Sequence, residues 1–351
     1  MLELVPESGA VALVGLVGGI LLGLAARIGR FCTLGAIEDF YYGGSTVRLR
    51  MWGVALGLAI IGSFCLMQFD LLDPSQTLYL SQAWVPAASI FGGLLFGYGM
   101  ALSGNCGYGA LARLGGGDLR AFVIVLVMGL TAYGTLNGPM AGLRVKLFTA
   151  PHPPASSPDI PTLASNVVGL PPLVTGLAVG VLILSFALAS RDFLRKPASV
   201  FWGVIVGLAI VSGWAGTQWV ADHGFEATPV LSHSFSAPLG ETLLYLMTSS
   251  GNQVSFGVGS VLGVLVGAFA GSLYKGHFRW EACEDHRELR RQILGAALMG
   301  VGAVVAVGCS VGQGLSAFSV LAFSGPVTFL AILAGASIGL RQLIVGFSRT
   351  V

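Results

Sequence analysis

The sequence predicts an all-α integral membrane protein, and three observations lead to this fold class. Of the 351 residues, 54% are hydrophobic and only 10% are charged, whereas soluble domains carry about 25% charged residues. The mean hydropathy is +0.83. Eight uncharged runs of 19 to 49 residues are each long enough for at least one membrane-spanning helix. Because strand-like alternation is not visible, helices are expected rather than a closed barrel.

The uncharged runs, taken in chain order, define the expected helices. They are Ser8–Ala26, Met51–Phe69, Pro74–Ala112, Ala121–Leu143, Ile160–Ser190, Pro197–Ala221, Thr242–Tyr274 and Gln292–Leu340. As a helix, the last run would be about 73 Å long, which is enough for two spans and a turn. With the longest runs divided in this way, about nine transmembrane helices are expected.

The distribution of Lys and Arg predicts the topology. Basic residues cluster in a few loops, whereas Met51–Ala112 and Pro197–Tyr274 contain none. The positive-inside rule places the basic clusters in the cytoplasm, so nine alternating crossings put the N-terminus outside and the C-terminus inside. No Lys/Arg run is dense enough to follow the phosphates of a nucleic acid, so nucleic-acid binding is not expected.

A single transmembrane domain, residues 1–351, is expected to consist of two approximate halves. The segment Gly138–Pro171 is rich in proline and is expected to be an extended external linker. The halves on either side of it, residues 1–140 and 171–351, each hold four or five of the expected spans.

One pattern occurs three times: Gly, eight residues, Cys, two residues, Gly. The copies are centred on Cys32, Cys106 and Cys309, each in or beside a long apolar stretch. Polar, glycine-rich breaks at membrane depth persist only where protein or a water-filled cavity satisfies the backbone. In transporters, broken helices that recur in repeats mark substrate sites. The stretch after Gly207, with Ser212–Ala215, is a candidate for a fourth, degraded copy without the thiol.

The repeated pattern predicts an anion site made of thiols and backbone donors, without a cofactor. If a short helix starts at each Cys, its free N–H groups and positive dipole end face the break. Acidic residues are scarce in the apolar runs and no His joins the cysteines, which disfavours a cation or transition-metal site. The expected site residues are Cys32, Gly35, Gly104, Asn105, Cys106, Gly109, Cys309, Ser310, Gly312 and Gln313.

The other two cysteines are expected to lie away from this site. Cys65 lies in an apolar run and is expected to be a small buried hydrophobe, and Cys283 lies in a charged loop. Without a CxxC pair, the cysteines indicate neither a disulfide framework nor a zinc site. Glycine-rich membrane helices also use small residues for close packing alone, so a purely structural role is the simplest alternative for each copy.

At these residues the chain resembles the YeeE/YedE family of inner-membrane sulfur-compound transporters. The resemblance covers nearly all of the chain and is densest at residues 29–36, 103–115 and 308–314. It implies uptake of thiosulfate across the bacterial inner membrane by an hourglass-shaped protein of about nine spans, surrounded by membrane lipid. It also implies that the three motif cysteines pass the ion along by S–H···S contacts, and that a separate TusA-type sulfur-carrier protein acts on the cytoplasmic side.

Three alternatives to thiosulfate transport stay open at this point. Some members of the family are linked to selenium or to other sulfur species. A membrane thiol oxidoreductase or sulfurtransferase belongs to a different class, although such enzymes usually present CxxC pairs. In a structural subunit whose glycine-rich helices only pack against partners, replacing the cysteines by alanine would be silent.

Overall fold

The computed structural model describes residues 6–148, 159–225, 227–282 and 285–346. In these residues the secondary structure consists of helices and isolated β-bridges, which confirms the predicted all-α membrane fold. Seven helices are long and apolar enough to cross a membrane, and a bent helix pair is a candidate for an eighth. His286–Val305 is not among them because its first turns are charged. The number of nine crossings and their orientation stay predictions.

Four similar units form the body of the protein. Each consists of a long helix, a break, a short helix, a turn and a second long helix. Unit 1 contains α1 (Glu7–Arg27), α2 (Thr33–Tyr41) and α3 (Val47–Gln68). After the short α4 (Leu78–Ser81), unit 2 contains α5 (Pro86–Ser103), α6 (Gly107–Leu114) and α7 (Leu119–Leu136).

Five further helices lead from unit 2 into the second pair of units. They are α8 (Ala141–Phe148), α9 (Ile160–Val168), α10 (Pro172–Leu188), α11 (Arg191–Leu194) and α12 (Pro197–His223), of which α12 begins unit 3. Unit 3 continues with α13 (Ala237–Thr248) and α14 (Phe256–Tyr274). Unit 4 comprises α15 (His286–Val305), a helix at residues 310–319 that contains the π-helical turn Gly312–Ala317, and α16 (Ser324–Val345).

The expected position of the fourth, degraded copy was wrong. Ser212–Ala215 lies inside the continuous helix α12, where the Ser212 hydroxyl donates a hydrogen bond to the Ala209 carbonyl of the same helix. The break of unit 3 is instead the non-helical stretch 227–236, which ends at Ser236, the N-cap of α13. Because the Ser212 hydroxyl is satisfied within α12, this serine and the following glycine do not interrupt the helix.

The four units pack in two reciprocal pairs. Helix α1 packs along α14 and α12 packs along α3, so units 1 and 3 exchange equivalent contacts. Units 2 and 4 do the same, because α5 packs along α16 and α15 packs along α7. Exchanging unit 1 with unit 3 and unit 2 with unit 4 therefore leaves this packing pattern unchanged. Inverted or parallel internal repeats of this kind are typical of transporter folds.

Glycines bring the backbones of α1 and α14 into direct contact. A methyl group at any of three glycines on either helix would overlap a backbone carbonyl group of the opposite helix. The six glycines are Gly15, Gly19 and Gly23 of α1 and Gly259, Gly263 and Gly267 of α14. Small residues spaced four apart allow this close approach in membranes, where packing rather than hydrophobic burial holds helices together.

Several expectations fall outside the described residues. Residues 149–158 hold four of the prolines of the expected linker, and Cys283 also lies outside. The ends of the linker are described, and the Ile160 N–H donates to the Leu321 carbonyl group of unit 4 at 3.1 Å. The division into halves at residues 1–140 and 171–351 stays a prediction.

Replacing Gly263 by alanine is expected to destabilise the protein, because the added methyl group would overlap the Leu16 carbonyl oxygen. Overpacking of this kind costs about 1–3 kcal/mol. The control is Gly134→Ala in α7, where a methyl group meets nothing within 4 Å. Thermal unfolding in detergent should show a lower midpoint for Gly263→Ala only. Equal midpoints for both variants would contradict the close contact of α1 and α14.

Reporter fusions at Gly224 and at Arg287 are expected to report opposite sides of the membrane. Gly224 follows α12 in a loop that is predicted to be external, and Arg287 lies in the first turn of α15, in a basic region that is predicted to be cytoplasmic. A pair of alkaline phosphatase and fluorescent protein fusions measures this directly. The same side for both positions would overturn the predicted topology.

Candidate functional site

Each motif cysteine begins the short helix that follows it. Cys32 is the N-cap of α2, Cys106 is the N-cap of α6, and Cys309 directly precedes the helix at 310–319. In every case the sulfur accepts a hydrogen bond from the N–H of the glycine three residues later. The N···S distances are 3.5 Å for Gly35, 3.5 Å for Gly109 and 3.4 Å for Gly312. The thiol therefore fills the capping role that serine or aspartate has in soluble proteins.

A residue in left-handed conformation precedes each of these caps. Two positions before the cysteine, φ is +56° at Arg30, +75° at Gly104 and +55° at Val307. The reversal separates the first helix of the unit from the short helix, so the polar break is built into the backbone. Only Gly104 adopts this conformation without a steric penalty, whereas a β-branched residue such as Val307 does so at a cost of about 1–3 kcal/mol.

The fold brings the three thiols together. The Cys106 thiol lies close to both Cys32 and Cys309 and next to the Ser310 side chain. Cys106 and Cys309 are each 1% exposed, and Cys32 is half-buried. Because each sulfur already accepts a backbone N–H, its single S–H proton is available to donate to another group.

Several buried polar side chains beside the cysteines have no hydrogen-bond partner. Asn105 precedes Cys106 and has neither its amide nitrogen nor its oxygen paired, and the same holds for the hydroxyls of Thr33 and Ser310. Leaving a buried donor unpaired costs about 1–3 kcal/mol. Such groups next to three thiols are therefore candidates for ligand contacts. Gln313 differs, because its amide nitrogen donates to the carbonyls of Ala306 and Val307 at the end of α15.

A cavity of about 590 Å³ opens on the Cys32 side of the thiol cluster. We call it the arginine-lined cavity. Its wall includes the predicted site residues Cys32, Gly35, Gly104, Asn105 and Gly109. Its charged residues are Arg27, Arg30, Glu38, Arg48, Arg113, Arg279 and Glu281. Five arginines against two glutamates give the cavity an excess of positive charge, which attracts anions.

Two groups adjust the charge of this cavity. Burial raises the pKa of the Glu38 carboxyl, while the positive charges of Arg113 and Arg48 partly oppose this shift. Glu38 therefore binds a proton at a higher pH than a free glutamate does. Arg48 also pairs with Asp39 at 3.2 Å, and its guanidinium lies against Gly35, where a Cβ would overlap it.

A second cavity of about 690 Å³ lies at the other end of α14. We call it the serine-lined cavity. Phe256, which begins α14, lines this cavity, whereas His277, which follows the end of α14, lines the arginine-lined cavity. The two are thus separated by a 19-residue helix, which is about 28 Å long. The polar lining of the serine-lined cavity includes Tyr79, Arg144, Ser232, Ser234, Ser236, Glu241 and Ser255.

The carboxyl of Glu241 is the acidic group of the serine-lined cavity. Burial raises its pKa, and the hydrogen bond from Ser255 partly opposes the shift.

The non-helical segment before α13 forms the wall between the serine-lined cavity and Cys309. The Phe235 N–H donates to the Cys309 sulfur at 3.2 Å, so this sulfur accepts two backbone hydrogen bonds. The Ser316 hydroxyl donates a hydrogen bond of 2.7 Å to the His233 carbonyl oxygen. The His233 ring contacts Ser260 at 2.7 Å, and burial lowers its pKa to about 3. His233 is therefore neutral and supports the segment without adding charge.

The structure brings together most of the predicted site residues around the thiols and the arginine-lined cavity. Gln313 is the exception, because its amide nitrogen donates to a backbone carbonyl at the end of α15 rather than facing the thiols. Its side-chain oxygen has no hydrogen-bond partner. Cys65 lies on α3 and lines neither cavity. In the described ranges, the His, Cys, Asp and Glu side chains form no group of three that could hold a metal ion.

Sequence reasoning missed the arginines, Tyr79 and Ser234. The arginines come from loops and helix ends that are far apart in sequence, so no local pattern marked them as one group. A signal for the segment before α13 was present in Ser232, Ser234 and Ser236. Serine at every second position in an otherwise apolar protein indicates a polar wall.

Broken helices in reciprocal units, with two cavities that approach one cluster of thiols, are features of a membrane transporter. A family profile described as sulphur transport matches residues 28–338. The chain belongs to this family, and the resemblance to YeeE/YedE proteins is confirmed.

Two relatives are named as transporters of one particular anion. The chain is 26% identical to the thiosulfate transporter TsuA of Escherichia coli strain K12 over 347 residues, which cover 92% of this chain and 91% of the relative. It is also 26% identical to the thiosulfate transporter TsuA of Spirochaeta thermophila over 335 residues, covering 92% and 96%.

An anionic thiol reagent should modify Cys32 at least about tenfold faster than Cys106 or Cys309, because reactivity follows exposure and a positive surrounding. Cys32 is half-buried in the arginine-lined cavity, whereas the other two are 1% exposed. Variants that each retain one of the three cysteines, labelled with a sulfonate methanethiosulfonate and followed by mass spectrometry, measure the rates. Equal rates would contradict the burial of Cys106 and Cys309.

Proposed function

We propose that this protein takes up thiosulfate across the bacterial inner membrane. The ion passes from Cys309 to Cys106 and then to Cys32 by hydrogen bonds from the thiols. The observation that carries this proposal is the convergence of three helix-capping thiols between two cavities at opposite ends of α14. The relatives named as thiosulfate transporters support the choice of substrate.

The thiols and their neighbours match the two ends of thiosulfate. Its terminal sulfur accepts hydrogen bonds from S–H groups, and its oxygens accept them from N–H and O–H donors. Asn105 and Ser310 are buried beside the thiols without partners and supply such donors. Sulfate has no terminal sulfur, so the thiols give a basis for preferring thiosulfate.

Weak contacts suit transport better than strong ones. A net hydrogen bond contributes about 1 kcal/mol, so an ion held by one thiol at a time moves on without a deep trap. The buried thiols offer no positive charge that would hold a dianion, whereas five arginines line the cavity beyond Cys32 and Arg144 lines the serine-lined cavity. Arginine therefore attracts the ion at the two ends of the path rather than in its middle.

The direction of transport follows from the predicted topology. The positive-inside rule places Arg48, Arg113 and the basic region around Lys275–Arg291 in the cytoplasm, so the arginine-lined cavity is the cytoplasmic exit. There a separate TusA-type sulfur-carrier protein has access to the delivered ion. Related sulfur or selenium anions are tested as substrates by competition with labelled thiosulfate.

Replacing Cys106 by alanine is expected to reduce thiosulfate uptake by about tenfold or more, since an unreplaced buried hydrogen bond costs about 1–3 kcal/mol. Uptake of ³⁵S-thiosulfate into cells that require cysteine, normalised to the amount of membrane-inserted protein, measures the effect. The matched controls are Cys65→Ala and Cys283→Ala, which should transport nearly as wild type does.

The Cys106→Ser variant separates two mechanisms. Serine keeps a donor and a helix cap but replaces a soft sulfur by oxygen, so partial uptake favours relay by hydrogen bonds. Wild-type uptake by the Cys106→Ala variant, at normal expression, would contradict the thiol relay.

Sulfur transfer is a second candidate, because the fold places Cys106 beside the other two thiols although they are distant in sequence. In that reaction a Cys309 thiolate attacks the terminal sulfur of thiosulfate, the S–S bond breaks, and sulfite leaves a cysteine persulfide behind. Mass spectrometry of Cys309 during turnover, together with an assay for released sulfite, decides between the two. Intact thiosulfate inside vesicles without sulfite excludes this reaction.

A further inference from the structure

Unit 3 has no cysteine, and hydroxyl groups occupy the corresponding region. Ser236 is the N-cap of α13, in the position that a cysteine has in the other units. The Ser234 hydroxyl lies 3.4 Å from the Ser236 hydroxyl and 3.8 Å from the Cys309 sulfur. Ser234 lines the serine-lined cavity, so it stands between that cavity and the first buried thiol.

A second hydroxyl converges on the same place. Tyr79 lines the serine-lined cavity, is 6% exposed, and interacts electrostatically with Cys309. A Cβ built on Gly312 would lie 2.6 Å from the Ser234 hydroxyl oxygen and 3.0 Å from the Tyr79 hydroxyl oxygen. Gly312 therefore lets both hydroxyls lie directly against the backbone that donates to the Cys309 sulfur, where a side chain would displace them.

The hydroxyls are held in place by neighbouring contacts. The Tyr79 ring packs edge-on against Trp214, with ring centroids 6.3 Å apart. Trp214 in turn donates from its indole nitrogen to the Ser319 hydroxyl at 3.0 Å. Next to Cys309, Ser310 is fully buried, and its side chain lies against the Cys106 thiol.

We propose that the hydroxyls of Tyr79 and Ser234 form an oxygen-binding station. It binds the SO3 group of thiosulfate while the terminal sulfur of the ion contacts Cys309. This inference rests on the proposed function and adds the residues that set its specificity. Neutral hydroxyls donate to the oxygens without the strong attraction of a guanidinium. At the opposite end of the path, the glycine whose N–H donates to the Cys32 sulfur is covered by Arg48 instead.

With the station, the protein recognises both ends of the thiosulfate ion. A thiol selects against sulfate, which lacks the terminal sulfur, and the two hydroxyls select against hydrosulfide, which lacks the oxygens. Because the station acts at entry, its loss should weaken capture more than it slows the later steps.

Uptake kinetics of Tyr79→Phe and Ser234→Ala test the station. Each variant removes one hydroxyl, and we expect the KM for thiosulfate to rise about three- to tenfold, the range for one lost hydrogen bond, with the maximal rate largely retained. We expect hydrosulfide to compete better against thiosulfate in the variants than in wild type. Ser234→Thr keeps a hydroxyl and should preserve the wild-type KM.

The matched controls are Tyr98→Phe and Ser212→Ala. The Tyr98 hydroxyl donates to Gln342 and the Ser212 hydroxyl to Ala209, both outside the two cavities, so their KM should not change. Wild-type KM in both Tyr79→Phe and Ser234→Ala, with uptake by the unmodified protein intact, overturns the station and leaves the thiol relay standing. If Tyr79→Phe does not fold, the pair Ser234→Ala and Ser234→Thr decides. Absence of thiosulfate uptake by the unmodified protein instead overturns the proposed function itself.

Discussion

The hydrogen bond from a glycine N–H to the sulfur of a capping cysteine is the interaction on which the site depends. It fixes where each short helix begins, directs the positive end of that helix at the break, and leaves the S–H proton free to donate. Serine caps helices at least as well, and Ser236 stands at that position in unit 3. Capping alone therefore does not explain three cysteines. What sulfur adds is a soft donor for a soft acceptor, which a sulfur-containing anion supplies.

Breaks at membrane depth are possible here because other parts of the protein satisfy the exposed backbone. Around the break of unit 3, Thr217 exchanges hydrogen bonds with the backbone of Leu231, and Ser316 binds the carbonyl of His233. The Phe235 N–H binds Cys309, so part of this satisfaction comes from the site itself. The polar segment and the thiol thus stabilise each other, which is the condition for irregular backbone away from water.

The sequence predicted the membrane class and the breaks at Cys32, Cys106 and Cys309, because hydropathy and the repeated pattern are local signals. It did not predict the left-handed conformation of Arg30 and Val307. Of the three positions that precede the motif cysteines by two residues, only position 104 has a glycine, which favours this conformation. The break of unit 3 was misplaced because its motif has serine where the others have cysteine. The arginine-lined cavity could not be derived either, because its charges come together only through the packing of separate units.

The contact between α1 and α14 has a mechanical consequence. Carbonyl groups of each helix sit over glycines of the other at three successive four-residue steps. A small slide or rotation would drive a carbonyl into a neighbouring bulky residue, and relief would come only after a full step of about 6 Å. The two helices therefore move as one rigid body, and units 1 and 3 do not slide past each other along this contact.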